Sequence, residues 1–441
     1  MSKLTDRMYG LLAEDEDARV CKDIPESACN DQPQAFMAHL WSLTLTKLGD
    51  SLVSARLVLP WMLTALGAPS IFISALVPLR ESLALLPQLF IAQQMRQTPI
   101  RKWFWVVGSV GQAATLIGMV VAIVVTEGTV LGWAIVILLA LFSLSRGVCS
   151  VAIKDVQGKT ISKTRRGRLS GLAASVAGLL SLVTALVIIF APQVTDIGRE
   201  GDAWLFILLL SFAALLWFTA ALIYASVPEV PGATEGGGNA LVEALKSIRL
   251  LWQDKNFGQF VLTRALLVAS AFAIPYIVVM IQRSGEGSLT SLGGLMLASG
   301  LAGMLAGRFW GRWSDSASHH VMAAAAAMAS FVMAVALALY MMMPELLAQQ
   351  WLAGLLIFSA AVAHHGARVG RKTYLVDMAT QENRAQFTAV SNTVIGIVLL
   401  LGILLGVLES FAGVEAVISL LVLLGIIAAL RALSLPNVQQ N

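Results

Sequence analysis

Charge is what this 441-residue chain has least of: Asp, Glu, Lys and Arg together make up 13% of it, against 57% apolar residues. A soluble domain carries about 25% charged and 45–50% apolar residues. The polar side chains here are too few to cover a soluble surface, which excludes a cytosolic enzyme, a nucleic-acid-binding module and a disordered chain. Three cysteines, Cys21, Cys29 and Cys149, are too few for a disulfide framework. No G-x-x-x-x-G-K-[ST] run offers a nucleotide cradle, and no H-E-x-x-H or G-x-S-x-G run offers a zinc-protease or hydrolase centre. No His, Cys or carboxylate cluster has metal-ligand spacing. Neither a metal nor a cofactor is therefore expected, and the chain does not read as an enzyme. Residues 1–35 are polar and carry Glu14-Asp15-Glu16-Asp17, so no cleavable signal peptide is expected.

What the chain has instead is long apolar sequence, with a mean hydropathy of +0.78. A helix needs about 20 predominantly apolar residues to cross a bilayer. Twelve such runs are legible, at about 37–66, 69–95, 103–126, 130–153, 169–191, 203–227, 257–282, 289–307, 321–343, 350–373, 386–409 and 416–433. Unbroken runs exclude a transmembrane β-barrel, whose strands alternate over about 10 residues. The expected class is an all-α membrane protein with 12 transmembrane helices.

With the N-terminus inside, the inner segments hold about 22 of the 30 Lys and Arg, and the outer loops hold only Arg199 and Arg283. Positive charge stays cytosolic during insertion, so both ends are expected in the cytosol, with the chain in a bacterial inner (plasma) membrane. That bias accounts for a net charge of +4 without nucleic acid as a partner. Trp103, Trp105, Trp310, Trp313 and Trp351 flank spans, where interfacial indoles are expected.

The longest polar insert after the N-terminus begins at Pro228-Glu-Val-Pro-Gly and runs through Gly236-Gly-Gly-Asn239. It divides the spans six and six. The expected organisation is an acidic tail (1–36), a first bundle (37–227), a linker with an amphipathic helix (228–256), a second bundle (257–433) and a short tail (434–441). The halves echo each other. Arg146 and Asp155 at the inner end of the fourth span match Arg368 and Asp377 at the inner end of the tenth, with equal separation. Arg166-Gly-Arg-Leu-Ser-Gly171 and Arg384-Ala-Gln-Phe-Thr-Ala389 open the spans that follow, and Pro60-Trp61 in the first span matches Pro275-Tyr276 in the seventh.

With these features the sequence resembles the major facilitator superfamily over about residues 37–433. The loop after the eighth span, Gly311-Arg-Trp-Ser-Asp315, keeps the family's glycine and aspartate, but His319 and His320 stand where basic residues are usual. After the second span, Gln93 to Lys102 keeps only a terminal basic pair, and the fifth span lacks the glycine-proline motif of the drug antiporters. The resemblance implies two pseudo-symmetric six-helix bundles with a substrate site between them, exposed alternately to each side. It further implies that Arg146, Asp155, Arg312, Asp315, Arg368 and Asp377 form cytosolic gate networks, with a static structural role as the alternative for Arg146 and Arg368.

A charge at mid-bilayer costs at least about 2.5–3.5 kcal/mol on insertion scales, so each one needs a partner, a wet cavity or a ligand. The candidates are Lys47, Asp50 and Arg56 in the first span, Arg80 and Glu81 in the second, Arg146, Arg264 and Arg368. At 100° per residue, Lys47, Ser51 and Ser54 share a stripe with Asp50 beside it. Arg56 lies opposite Lys47 unless Pro60 bends the helix. Asp50 is a proton-site candidate whose alternative is a permanent pair with Lys47 or Arg80. Ser74, Glu81 and Gln88 form a second polar stripe. Arg264 stands at the depth of Lys47, and some carriers of organic phosphates in the resembling family place basic residues in these two helices; the alternative is an arginine snorkelling to the interface. His364 and His365 face 100° apart, as proton-coupling groups or as interhelical hydrogen bonders, and His364, Arg368 and Arg371 align along one face. Gly303, Gly307 and Gly311 repeat at a spacing that permits close helix approach.

The expected function is secondary transport by alternating access, driven by protons or a counter-ion, of a small solute for which the charge surplus favours an organic anion. The expected partners are that solute, the coupling ion and the lipid bilayer, with the chain acting as a monomer. The alternatives are an exporter of amphipathic compounds, which predicts an acidic cavity, and a transporter-shaped assembly factor or sensor that docks through the acidic tail.

Overall fold

In this computed structural model, residues 9, 24–194, 203–232, 234, 248–285, 289–379 and 384–439 are described. The acidic run 14–17, Cys21, Arg199 and most of the expected amphipathic linker helix lie outside them. The described residues form helices α1 (Gln32–Leu52), α2 (Val58–Ala65), α3 (Ile71–Leu85), α4 (Gln88–Arg96), α5 (Lys102–Val125), α6 (Gly128–Thr160) and α7 (Lys163–Val194). These continue as α8 (Ala203–Ala225), α9 (Lys255–Leu266), α10 (Ala269–Ser284), α11 (Leu289–Met342), α12 (Gln350–Met378), α13 (Arg384–Leu401) and α14 (Leu404–Leu433), with short turns between.

Eight stretches are long and apolar enough to cross a membrane by length and composition. The other expected runs are present as broken, short or merged helices. The first run is split into α1 and α2, and the second into α3 and α4. The eighth and ninth are continuous in α11 except at Ala317, and α14 breaks at Gly413, whose φ of +78° suits only glycine.

Proline explains the break in the first span, one of the two that matter for function. Pro60 has no N–H, and its ring collides with the carbonyl of residue 56. The chain accordingly leaves the helix just ahead of it, with Leu57 and Leu59 both donating to the Ser54 carbonyl at 3.3 and 3.0 Å. Pro275 lies within α10, and the matching break falls at Leu267–Val268, where Ser270 and Ala271 donate three residues back. The first and seventh spans thus bend alike.

Within the first half, α5, α6 and α8 pack together, α1 lies on α8, and α3 lies on α6; in the second, α11, α12 and α14 pack around α10. Cross-half packing joins α7 to α11, α3 to α13, and α2 to α10. A Cβ on Gly49 of α1 would fall 2.3 Å from the Trp217 ring of α8, so only glycine admits that buried indole. At the end away from the basic loops the halves are shut: Gln282 donates to the Trp61 carbonyl at 3.2 Å, and Gly293 of α11 lies against Ile189 and Ala185 of α7. At the basic end α7 and α11 stand apart around a cavity of about 1150 Å³.

Two expectations are corrected here. Trp105 and Trp310 are 3% exposed rather than interfacial; Trp105 stacks on Tyr224 and Trp310 donates to the Val362 carbonyl, while Trp103, Trp313 and Trp351 stay at the surface. The glycine stripe on α11 does not mediate close approach in this conformation. Gly307 and Gly311 meet nothing within 4 Å, and Gly303, which lines the opening, meets only the His365 ring.

Candidate functional site

Three helices of the first half converge on one carboxylate. Asp50 of α1 accepts from Arg80 of α3 at 2.6 Å and from Arg146 of α6. The Arg80 guanidinium also lies over the Phe142 ring, 4.6 Å from its centre, a contact strengthened where water is excluded. One turn further along the bent first span, Arg56 donates to Glu81 of α3 at 2.7 Å. The bend ahead of Pro60 is what turns Arg56 inward, although a straight helix would set it opposite Lys47.

These side chains wall a cavity of about 320 Å³ whose lining includes Asp50, Arg56, Arg80, Glu81, Arg146 and, from α12 of the other half, Arg368. That volume is at the small end of ligand pockets, roughly 300–1,000 Å³. Beyond the Arg56–Glu81 pair lies a nearly filled chamber of about 30 Å³, bounded by the same pair and by Arg264, His364, Arg368 and Arg371. Lys47 lines the large opening between α7 and α11, together with Arg312, and shares a further pocket of about 210 Å³ with Asp50 and Arg146.

The structure redistributes several expected roles. Arg146 and Arg368 sit at the central cavities rather than beside Asp155 and Asp377. Asp155 instead bonds Arg101 at 2.5 Å and Lys159 at 3.0 Å, and Glu229 of the linker joins them by accepting from Lys159 and from the backbone N–H of Arg101 and Lys102. Asp377 accepts from Gln439 at 2.7 Å. Arg312 and Asp315 form no ion pair among the described residues. Of the two partners weighed for Asp50, Arg80 pairs with it and Lys47 does not among the described residues, and Arg146 is a partner not foreseen.

Arg264 neither snorkels nor faces Lys47. It is 7% exposed and donates to Ser391 at 2.6 Å and Asn392 at 2.9 Å on α13, while its Nε is buried without a partner. His364 makes no interhelical hydrogen bond, since both ring nitrogens lack a partner among the described residues. His365 turns instead toward Gly303. The Ser74–Glu81–Gln88 stripe divides: Ser74 bonds the Ile403 carbonyl across the interface between halves, and Gln88 reaches Ser150. Ser51 bonds Ser181 of α7 at 2.8 Å. Arg371, near the inner end of the tenth run, lines the inner chamber although the sequence reading gave it no site role. Its alignment with His364 and Arg368 was the signal. No group of residues able to hold a metal occurs among the described residues.

No protein-family model matches the chain, and no curated protein matches it in sequence. Solved structures do match. A D-xylose–proton symporter superposes with a TM-score of 0.68 at 14% identity, over 92% of this chain and 99% of that one. The fold is that of the major facilitator superfamily. A nucleoside transporter (TM-score 0.67, 13% identity, 90% of this chain and 99% of that one) and a peptide transporter in complex with sulfate (0.64, 12%, 89% and 93%) share it. Identities this low establish the major facilitator fold alone. With the apolar helices, that fold makes the chain a multi-pass integral membrane protein.

Proposed function

We propose that the chain is a secondary active transporter that moves a small organic anion by alternating access, coupled to protons or to a counter-anion. The observation that carries this reading is the charge of the central cavity: four guanidiniums, Arg56, Arg80, Arg146 and Arg368, against the carboxylates of Asp50 and Glu81. Arg264 and Arg371 add further positive charge in the adjoining chamber. Like charges repel strongly where water is scarce, and ionised groups within a membrane are costly without a counter-charge. An anion supplies that counter-charge. A cavity for cations or cationic amphiphiles needs the opposite balance.

The shut far end and the open basic end describe one of the two states alternating access requires. In the other, the bundles 37–227 and 257–433 rock about the linker 228–256, and Gly307 and Gly311 approach the glycines of α7. The positive-inside bias supports a cytosolic open end, and the cycle as proposed uses one chain.

The test is purified protein in liposomes, screened by thermal shift against anions and cations and then by pH-driven uptake. Stabilisation by anions, lost in the folded Arg368→Ala variant, is the expected result. Stabilisation by cations alone, or undiminished anion binding in both Arg368→Ala and Arg371→Ala, overturns the reading.

A further inference from the structure

The two carboxylates of the central cavity are not equivalent. Asp50 is clamped by guanidiniums from two other helices, and its side chain is 25% exposed. Glu81 is 41% exposed to the cavities, and one of its oxygens meets one partner, Arg56. Glu81 also stands on the wall common to the larger cavity and the inner chamber. The Nε of Arg56 is buried without a hydrogen-bond partner among the described residues, so this guanidinium has donor capacity in reserve. An ion pair that faces a wet cavity from one side is open to exchange; a carboxylate held from two sides is not.

The charged and titratable groups that face Glu81 are known from every element around it. Arg56 contacts it from the first span, and Arg80 precedes it on its own helix. Asp50 and Arg146 line the larger cavity with it, Arg368 lines both cavities, and Arg264, Arg371 and His364 enclose the chamber behind it. With Glu81 ionised, the larger cavity keeps a surplus of two positive charges. In that state a monoanion leaves one of them unmatched and a dianion none; once Glu81 is neutral a monoanion leaves two and a dianion one. With Glu81 protonated, the surplus grows by one and Arg56 is released as a donor.

We infer that the substrate is a small anion with at least two negative charges, and that Glu81 is its built-in competitor. One acid group of the incoming anion replaces the Glu81 carboxylate on Arg56, a second meets Arg368, and Glu81 takes up a proton from solution as it leaves Arg56. Proton uptake and anion binding then favour each other, as linked equilibria must. The inference rests on the anion reading of the cavity and adds to it a valence and a coupling residue.

Sulfate and methanesulfonate serve as probes, since both keep a fixed charge near neutrality, so any pH dependence of their binding belongs to the protein. Affinities are measured by calorimetry on the full chain in nanodiscs between about pH 6 and pH 8, the range in which histidine also titrates. The wild type is expected to bind sulfate at least about tenfold more tightly than methanesulfonate, and more tightly as pH falls, by up to about tenfold per unit for one linked proton. Glu81→Gln is expected to bind sulfate more tightly than the wild type at the high end of the range and without pH dependence. Glu81→Asp retains the dependence.

Asp50, His364 and His365 are intact in Glu81→Gln, so a pH dependence that persists there belongs to other groups and overturns the role of Glu81. Equal affinity for the two probes overturns the valence. Should Glu81→Gln fail to fold, a pH-independent sulfate affinity in the wild type overturns the coupling by itself. If wild type and variants bind neither probe, the anion reading falls with the inference. Sulfate binding with no Glu81 effect removes the coupling alone.

Discussion

The two halves of the molecule treat their buried cations in opposite ways. In the first half each arginine of the central cluster has a carboxylate: Arg56 has Glu81, and Arg80 and Arg146 share Asp50. In the second half Arg264 is held by a hydroxyl and a side-chain amide, and Arg368 and Arg371 have no hydrogen-bond or ion-pair partner among the described residues. The first half is largely neutralised by its own acids, and its Asp50 cluster is held from two sides whether or not a ligand is present. The second half presents positive charge at Arg264, Arg368 and Arg371 with no ion-pair partner among the described residues. The contrast divides labour across the cavity, with a pre-set wall on one side and an unmet electrostatic demand on the other.

The largest effect that can break this contrast is at Asp50. Asp50→Ala strands two guanidiniums, and removing one partner of a buried ion pair costs about 3–5 kcal/mol. A steep fall in melting temperature in detergent is expected, and an unchanged one would show that the first half does not depend on its own neutrality. Arg368→Ala should do the reverse, leaving stability intact or raised while weakening anion binding by about 10–100-fold, the value of a charged hydrogen bond of about 1.5–3 kcal/mol. Equal stability losses at Asp50 and Arg368 would erase the distinction between halves.

Gly307→Leu probes the same asymmetry in motion. The residue faces open space in this state, so anion affinity should hold. Overpacking by about 1–3 kcal/mol in the closed state should slow uptake by about 5–150-fold. Uptake at the wild-type rate would mean that α7 and α11 never close over this position. The smallest effect is expected for Arg264→Lys, which keeps the charge but loses the planar fork spanning Ser391 and Asn392. Binding should weaken by about tenfold or less, with Arg264→Ala more severe. Identical losses in both variants would mean that hydrogen bonding, not charge, is what Arg264 contributes.

Several features of the site were legible in the sequence at the level of residue type and depth. Lys47, Asp50, Arg56, Arg80, Glu81, Arg146, Arg264, Arg368 and His364 all stand out as polar interruptions of apolar runs, and each of them lines one of the cavities. Their partnerships were not legible. Periodicity reports which face of a straight helix a residue occupies, but Arg56 is turned by a break that starts ahead of Pro60. Arg146 was paired with Asp155 by proximity along the chain, whereas three helices meeting in space give it to Asp50. Arg371 lies at the inner end of the tenth run, where hydropathy gives no sign that α12 brings it to the cavity wall. Gly307 and Gly311 signalled helix contact by spacing alone, yet contact depends on which state the two halves occupy.

Hydropathy and charge bias act locally during insertion, so the sequence by itself determined an all-helical membrane chain, its internal echo, and a surplus of cations within the apolar runs. Only the tertiary structure decided which cations are cancelled and which are left unmatched. Coulomb energy depends on distances of a few ångströms between side chains on different helices, and those distances are set by the breaks in the first and seventh spans and by the packing of one half against the other.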